Sequence, residues 1–397
     1  MSFDVPRVRG LYPTFGAGTA HLEGCFGALQ PESVIRAIIA TLRSSPAQPG
    51  SRSVRSQRTA TSVLEARRAV ADLVGATPDS VVLGASVATL MPRFAGLLCR
   101  DWQLGDEVVV SRLDADASLQ PWLRAARKTG VIVRWGEVDL ETGQLPTWQY
   151  EHLINPRTRI VTVPLANPAT GAVPDIRAIA DLAHRHGALV VVDAGAALPH
   201  VFVDLTDLGA DLFALSAAKF GGPTVAAVAA RPGLLLEMQG EGSLAVPQRF
   251  EVGPLPIELL DGLTAAVDHL ACLDERATGP RRARLAASLT AAGDYERSLY
   301  ERLDAGLRPL PGVTLLGTAT DRLPIAALTV ARHSADEVGD FLQRRGISVW
   351  TGPSGMTQLM SALGTDETGG AAYLGLMPHN TPAEVDQLID ALAVLAG

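Results

Sequence analysis

The sequence has 397 residues, of which 47% are hydrophobic and 19% charged, and its formal net charge is −8. A chain of this length exceeds one simple core, so we expect two domains that share an interface. The net negative charge argues against a nucleic-acid-binding face. No long apolar run is found in the sequence, which argues against a membrane span. The three cysteines lack the spacing of metal ligands, so we expect a cytoplasmic protein without disulfides or structural zinc.

The N-terminal part of the chain comes before the first predicted strand. We expect the segment before about Ala20 to join a small domain built mainly from the other end of the chain. The stretch "RSSPAQPGSRSVRSQRTATS", residues 43–62, is polar and rich in serine and arginine. Its composition predicts a loop-rich segment.

The central part alternates between short apolar runs and helical periodicity. The predicted strands are residues 80–85, 106–112, 131–138, 159–165, 188–194 and 212–217. The predicted helices between them include residues 89–99, 121–130 and 176–187. Nearly continuous apolar strands that alternate with helices are typical of a mostly parallel sheet covered on both faces, so the predicted fold class is α/β.

The C-terminal part has a different texture. Two helical regions, residues 252–273 and 281–307, are followed by predicted strands at 312–317, 324–330 and 347–352 and by helices at 334–346 and 383–395. This mixture predicts a small α+β domain. We therefore expect a large domain over residues 20–260, with residues 1–19 and 261–397 forming the N-terminal segment, a connecting helix and the small domain.

Asp193 and Lys219 are the two side chains that point most directly to chemistry. Asp193 closes the apolar strand "ALVVVDA", so its carboxylate is expected at the edge of the sheet where open α/β folds bind ligands. Lys219 follows the next strand, in the small and apolar stretch "LSAAKFGG". Each alone has an ordinary explanation, as a turn aspartate or a loop lysine. Together they suit pyridoxal 5'-phosphate, which needs a lysine amine for its aldehyde and an acid that keeps its ring nitrogen protonated.

The chain resembles the class V, fold-type I pyridoxal-phosphate enzymes, and among them the cysteine desulfurase-like proteins. The resemblance covers nearly the whole chain and is carried by "VLEARRAVADLVGA", "SAAKFGGP" and "HNTPAEVDQLIDAL". It implies a large domain with a mostly parallel sheet flanked by helices, a small α+β C-terminal domain, and a homodimer with active sites at the subunit interface. It also implies a small-molecule substrate of the amino-acid type.

The same resemblance assigns roles at the cofactor. Lys219 is the lysine that forms the imine bond, Asp193 is the partner of the pyridine nitrogen, and Ser216 is a phosphate-binding hydroxyl. The asparagine that supports the phenolic oxygen of the ring aligns with Asn167 or, after a shift of one residue, with Pro168. Ser86 and Thr89 are further phosphate-binding candidates, since the family's threonine after the first strand aligns with Ala88.

Several positions depart from the family pattern. The histidine that comes before the lysine in the family is Ala218, and the residue that stacks on the ring is Ala115. The position three residues after the aspartate is Ala196, where the family commonly has histidine or glutamine. These losses indicate a specialised or partly degenerate member, because they fall on positions that contact the cofactor in the family.

Two further departures concern the substrate. The small-domain loop that carries the persulfide cysteine of cysteine desulfurases is "VWTGPSGMTQ" here, and it contains Ser354 and no cysteine. The arginine that binds the substrate carboxylate aligns with Tyr373, which cannot replace bidentate recognition. Trp350 enters the same altered loop, so we expect Trp350, Ser354 and Tyr373 to border the substrate.

The leading hypothesis is a C–S lyase that eliminates a thiol from a cysteine-derived or S-cysteinyl conjugate. This reaction needs no persulfide cysteine, whereas a serine cannot take up sulfur as a persulfide. An aminotransferase, or another reaction of the same cofactor such as oxidative deamination or epimerisation, is an alternative that Lys219 and Asp193 serve equally well. A scaffold that kept the fold after losing catalysis is the third hypothesis, favoured by the alanines and opposed by Lys219 and Asp193.

Overall fold

The structure is a computed structural model that describes residues 3–238, 245–352 and 354–397. The strands, numbered in chain order, are β1 (Ala20–His21), β2 (Val81–Gly84), β3 (Glu107–Ser111), β4 (Ile132–Gly136), β5 (Thr158–Pro164), β6 (Leu189–Asp193), β7 (Leu212–Ser216), β8 (Ala226–Ala230), β9 (Val313–Leu316), β10 (Ile325–Val330), β11 (Ile347–Ser348), β12 (Trp350–Gly352) and β13 (Ala371–Gly375).

The α-helices, also numbered in chain order, are α1 (Val5–Arg9), α2 (Glu32–Ser44), α3 (Val54–Val74), α4 (Val87–Leu98), α5 (Asp116–Thr129), α6 (Tyr150–Leu153), α7 (Ile176–Arg185), α8 (Leu205–Leu208), α9 (Leu234–Glu237), α10 (Ile257–Leu270), α11 (Arg281–Leu307), α12 (Ala335–Gln343), α13 (Thr357–Ala362) and α14 (Pro382–Ala396). Short 3₁₀ helices lie at Pro13–Ala17, Pro78–Ser80, Cys99–Asp101, Thr147–Gln149, Ala217–Phe220, Gln248–Phe250 and Thr365–Thr368. Among the described residues, no helix combines the length and the apolar character that crossing a membrane requires.

The larger sheet has seven strands in the order β2-β8-β7-β6-β5-β3-β4. All neighbours are parallel except β8, which runs antiparallel to β2 and to β7. Every residue of β2, β3 and β8 is buried, as expected for strands covered by helices on both faces. The α/β fold class with a mostly parallel sheet is therefore confirmed.

The smaller sheet is antiparallel and has the order β12-β13-β10-β9. The predicted strand at 347–352 is divided into β11 and β12. β11 leaves this sheet to pair in parallel with β1. Consequently Ala20 and Leu22 pack in the hydrophobic cluster of the small domain, together with buried residues of α11 and α14. The structure thus shows that the N-terminal segment packs on the small domain. The domain limits at residues 20 and 260 stay predictions.

Two local predictions were wrong. Residues 54–62 were expected in a loop-rich stretch, but α3 begins at Val54, where the Ser53 side chain accepts a hydrogen bond from the amide of Ser56 and caps the helix. The helix expected from residue 121 begins five residues earlier, at Asp116, and keeps Pro121 inside it. In both cases a capped or favourable first turn outweighs residues that usually mark a break.

The strand order brings the predicted site residues to one edge of the larger sheet. Asp193 ends β6 and pairs with Pro164, the last residue of β5. Ser216 ends β7 and pairs with Ala226, which also pairs with Gly84 at the end of β2. The chain segments after β2, β5, β6 and β7 therefore leave the sheet side by side.

Candidate active site

A cavity of about 520 Å³ opens at this edge of the sheet. It is lined by Phe26, Ser86, Val87, Ala88, Ala115, Asp116, Ala117, Pro164, Ala166, Pro168, Asp193, Gly195, Ala196, Ser216, Lys219, Ser354 and Gly355. Its size is that of a site for a cofactor or small molecule, and most of its wall is apolar. Five of the nine predicted site residues, Ser86, Asp193, Ser216, Lys219 and Ser354, line it together.

Lys219 lies in the 3₁₀ turn that follows β7, and its amine projects to the N-terminal segment. Nζ donates a hydrogen bond of 2.8 Å to the backbone carbonyl oxygen of Cys25 and lies 5.1 Å from the ring centroid of Phe26. Burial lowers the pKa of Lys219, although the nearby Cys25 and Asp193 raise it. The amine therefore reaches its neutral, nucleophilic form at a lower pH than a lysine in water.

The turn after Lys219 depends on glycine. Gly221 has a φ of 80°, and a Cβ atom there would lie 2.8 Å from the backbone oxygen of Leu29. Both the left-handed backbone and the close approach exclude a larger residue without a shift of the chain. This explains the glycine of the "AAKFGG" motif by geometry.

Two hydrogen bonds hold the carboxylate of Asp193. The backbone amide of Gly195 donates to Oδ1 over 2.9 Å, and the hydroxyl of Ser118 in α5 donates to Oδ2. Both donors belong to chain segments that border the cavity. They orient an acceptor that the cavity presents to a bound group.

A second carboxyl group, that of Asp114, lies completely buried behind Asp193. Its Oδ2 accepts hydrogen bonds from the backbone amide and the hydroxyl of Ser111, at 3.2 and 3.1 Å, and Thr162 lies 3.4 Å away. Burial, and to a smaller extent the negative charge of Asp193, raise the pKa of Asp114 to about 7 against the hydrogen bonds that lower it. Asp114 is thus a proton-holding group next to the site.

The other end of the cavity carries hydroxyl groups and a helix N-terminus. Ser86 is the N-cap of α4, and its side chain accepts from the amide of Thr89 at 3.2 Å. The Thr89 hydroxyl donates back to the Ser86 carbonyl oxygen over 2.8 Å. The amides of the first helical turn, including Val87 and Ala88 in the cavity wall, have no partner within a helix and attract an anion.

Four predicted site residues lie outside the cavity wall. Thr89 serves the cap just described. Asn167 is fully buried; its side chain donates 2.9 Å to the Leu113 carbonyl and accepts from the amides of Ala169 and Thr170. In this position it shapes the turn after β5. Its role beside the phenolic oxygen stays a prediction.

Trp350 and Tyr373 form an aromatic cluster with Phe26 behind the cavity. The ring of Phe26 stacks on Trp350 at a centroid distance of 5.1 Å and meets Tyr373 edge to face at 5.3 Å. Trp350 is 43% exposed, whereas Tyr373 is fully buried and its hydroxyl lies 3.1 Å from the sulfur of Met360. Of the three rings, only Phe26 lines the cavity itself.

The sequence analysis missed Phe26, Asp114 and Ser118. Phe26 lies in "EGCFGAL", far from any predicted strand edge, and only the tertiary fold brings it to Lys219. Asp114 lies directly before Ala115, and Ser118 lies three residues after it in the first turn of α5. Their polar side chains in this segment were the sequence signal that could have identified them. That signal is weak because Asp and Ser commonly cap helices.

No cysteine lines the cavity. Cys25 is buried, and the desolvation of its thiol raises the pKa to about 12; only its backbone oxygen contacts Lys219. Cys99 is buried in another cluster, and Cys272 is exposed after α10. Ser354 occupies the small-domain side of the wall.

These residues fit pyridoxal 5'-phosphate. Lys219 supplies an amine of lowered pKa, Asp193 supplies an oriented carboxylate, and the N-terminus of α4 with Ser86 and Ser216 supplies a place for a phosphate. Ala88, Ala115 and Ala196, predicted to replace larger side chains of the family, all line the cavity.

This chain is similar to known proteins in sequence and in fold. The family model described as aminotransferase class-V matches residues 26–388. An uncharacterized protein of Mycobacterium tuberculosis is 41% identical over 399 residues, 100% of each chain. A protein of Mycolicibacterium paratuberculosis named "Probable cysteine desulfurase" is 30% identical over 354 residues, 84% of this chain and 48% of that one. The crystal structure of the cysteine desulfurase CsdA from Escherichia coli has a TM-score of 0.86 at 25% identity and covers 100% of this chain and 99% of its own.

Proposed function

The chain belongs to the aminotransferase class-V family, in its cysteine desulfurase-like group, and from this premise we propose that it is a pyridoxal-phosphate-dependent C–S lyase. The substrate is an S-substituted cysteine or a larger S-cysteinyl conjugate. With water, the reaction converts it to a free thiol, pyruvate and ammonia, so that the bond from sulfur to the β-carbon breaks without any change in the oxidation state of the protein. The smallest substrates of this class are cysteines with a small substituent on sulfur.

One observation carries the proposal: the cavity keeps Lys219 and Asp193 but has Ser354 where a sulfur acceptor is needed. Desulfuration transfers sulfur to a thiolate, which a serine hydroxyl cannot replace. Cys25, the cysteine nearest to Lys219, has a protonated, buried thiol at neutral pH. β-Elimination asks for no such acceptor.

Lys219 and Asp193 have separate tasks in this reaction. The bound cofactor supplies an electron sink that stabilises negative charge at the substrate α-carbon. Nζ of Lys219, whose pKa is lowered by burial, takes the α-proton as a general base when it is in its neutral form. Asp193, held by Gly195 and Ser118, keeps a protonated ring nitrogen in place.

The cavity wall favours a substrate with an apolar or bulky sulfur substituent. Apart from Lys219, the wall contains no basic side chain among the described residues, so a free α-carboxylate meets no guanidinium from this chain. The ring of Phe26, supported by Trp350, offers an apolar surface next to the amine. Such a surface contributes more to binding when the substrate brings its own apolar area.

We also propose that the active enzyme is a homodimer with its sites at the subunit interface, as the family resemblance implies. Light scattering with size-exclusion chromatography measures the assembly. A monomer that turns over conjugates at full rate would contradict this.

The first experiment is the visible spectrum of the protein purified with pyridoxal 5'-phosphate. We expect a yellow protein, because the imine between Lys219 and the cofactor absorbs visible light. This absorption band should be absent in Lys219→Ala. If the wild-type protein stayed colourless when saturated with cofactor, the lyase and aminotransferase hypotheses would both be contradicted. The hypothesis of a non-catalytic scaffold would then remain.

The second experiment follows products from S-alkyl and S-aryl cysteines. Pyruvate, ammonia and thiol in equal amounts support elimination. In a parallel assay with L-cysteine, whose sulfur is a free thiol, alanine with sulfur transfer identifies a desulfurase. From the S-substituted cysteines, a 2-oxo acid that keeps the sulfur substituent, with the amine left on the cofactor, identifies an aminotransferase. Either of the last two outcomes overturns the lyase proposal.

A further inference from the structure

A second cavity, of about 340 Å³, lies away from Lys219 between α11 and the segment that leads into β10. It is lined by His200, Val201, Gly293, Glu296, Arg297, Tyr300, Glu301, Asp304, Arg308, Thr318, Ala319, Thr320, Arg322, Leu323 and Pro324. None of these residues lines the Lys219 cavity. The α11 residues among them recur every three or four positions, so they form one face of that helix.

Glu296 is an acidic residue of this wall, and burial raises its pKa although the neighbouring His200 lowers it. Its side chain is fully buried, and Oε2 lies 2.8 Å from Nδ1 of His200, which is itself 2% exposed. The other oxygen, Oε1, is buried without a hydrogen-bond partner. A buried carboxylate oxygen without a hydrogen bond is costly in free energy. A ligand in the cavity that donates a hydrogen bond to Oε1 would remove this cost.

Arg322 presents the complementary group. Its Nη atoms donate to the backbone oxygens of Gly317, Thr170 and Ile325, which fixes the guanidinium, and the group stacks on the ring of Tyr300 at 4.4 Å. Nε of Arg322 is buried and has no acceptor. Arg322 and Glu296 thus both line this cavity, and each has one buried polar atom without a hydrogen-bond partner.

Asp304 adds a second unpaired acceptor. Its Oδ2 pairs with Arg308, while Oδ1 is buried without a partner. The hydroxyl of Tyr300 lies near this carboxylate but does not complete a hydrogen bond of normal geometry with it. Burial raises the pKa of Tyr300 to about 12, so the group stays a neutral hydroxyl that can donate or accept.

From these unpaired atoms we propose that the cavity is a binding site for a small zwitterion, a free amino acid. Its ammonium group lies against Glu296 and Asp304, and its carboxylate accepts from Arg322 and Tyr300. Acidic and basic residues balance in the wall, which suits a ligand without net charge. The volume is at the lower end of ligand sites and admits an amino acid rather than a nucleotide.

The location makes this a regulatory site rather than a second catalytic one. His200 follows β6, the strand that ends at Asp193, whereas Arg322 precedes β10 of the smaller sheet. A ligand held by both sides would tie the two sheets together. The proposal does not depend on which reaction occurs at Lys219.

The test is calorimetric titration of the holoenzyme with L-alanine while the cofactor absorption is recorded. Binding at Lys219 changes the visible band, so only binding that leaves the band unchanged reports the second cavity. We expect such binding, and we expect it to weaken about tenfold or more in Glu296→Gln, because a charge-assisted hydrogen bond is lost. Asp304→Asn, at a partly exposed position, should weaken it as well and serves if Glu296→Gln does not fold.

Two controls keep the test specific. Thr290→Ala changes an exposed residue of the same helix and should leave the affinity unchanged. Glycine betaine has both charges but no N–H donor, so it should not compete. The proposal would be overturned if L-alanine showed no saturable, spectrally silent binding, or if both acid variants bound it with the affinity of the wild type.

Discussion

The amine of Lys219 is hydrogen-bonded to the backbone oxygen of Cys25 over 2.8 Å, a contact between residues 194 positions apart in the chain. The segment around Cys25 is itself fixed by the smaller sheet, since the amide of Gly24 donates to Gly375 of β13 and the amide of Gly375 donates to Leu22. The position of the reactive amine therefore depends on how the small domain holds the N-terminal segment. This coupling explains why residues before β2 matter for a lysine that follows β7.

The first prediction concerns Phe26, whose ring lies 5.1 Å from the Lys219 amine. A cation over an aromatic ring gains about 0.5–2 kcal/mol, which favours protonated Lys219. Phe26→Leu removes this gain and should therefore lower the pKa of Lys219. The rate at which apoprotein takes up pyridoxal 5'-phosphate, measured against pH, should reach half its maximum at a lower pH. Phe26→Tyr keeps a ring and should not move this midpoint; an upward move in Phe26→Leu would contradict the prediction.

The larger sheet could be predicted because its strands are nearly continuous apolar runs. The strands β2 to β7 lie where the sequence placed them, within two residues at each end. β8 was missed because it consists of four alanines and a valine, and alanine has little preference for strands. β13 was missed for a similar reason, since "AAYLG" is short and carries two alanines and a glycine.

Site residues could be predicted from the sequence only where they directly follow a predicted strand. Asp193, Ser216 and Ser86 follow strands of one sheet, so chain order alone brings them near each other. Phe26 and Ser118 reach the site through packing between distant segments, which no local pattern reports. Trp350 and Tyr373 were expected at the substrate, and the structure places them behind Phe26.

The second prediction separates the charge of Asp193 from its orientation. Asp193→Asn keeps the shape but removes the charge that holds a ring nitrogen protonated, so turnover should fall by about 100-fold or more, as for the loss of a preorganised electrostatic group. Ser118→Ala removes one of two hydrogen bonds to the carboxylate and leaves the Gly195 amide in place, so a loss of about tenfold is expected. Both variants should retain the cofactor. Equal losses in the two would show that orientation, not charge, is what Asp193 supplies.

The third prediction follows from the raised pKa of Asp114. The folded protein holds this proton up to about pH 7, whereas the unfolded chain releases it near the ordinary value of 3.8. The stabilising contribution is thus fully present below about pH 4 and is lost as the pH rises to about 7, by roughly 4 kcal/mol. Asp114→Asn is neutral at every pH and should remove this dependence.

Urea unfolding at pH 5 and pH 8 checks the Asp114 prediction. The free energy of unfolding of the wild type should fall more between these pH values than that of Asp114→Asn. Asp116→Asn, two residues away and partly exposed, is the matched control and should follow the wild type. An identical pH dependence in wild type and Asp114→Asn would mean that the carboxyl group is ionised in the folded protein.

The fourth prediction concerns Glu251, which closes the edge of the larger sheet. Its Oε1 accepts from Arg67 of α3 over 2.7 Å and from the backbone amide of Leu83 in the edge strand β2 over 3.2 Å; both charged side chains are 8% exposed. Glu251→Ala leaves a buried guanidinium and a strand amide unpaired, so it should cost about 3–5 kcal/mol in the free energy of unfolding. Adding Arg67→Met removes the unpaired charge and should recover part of that loss, whereas the amide of Leu83 stays unpaired in both. Urea unfolding at pH 7 of the two single variants and the double variant measures the coupling, and strictly additive losses would show that the two side chains do not act as a pair.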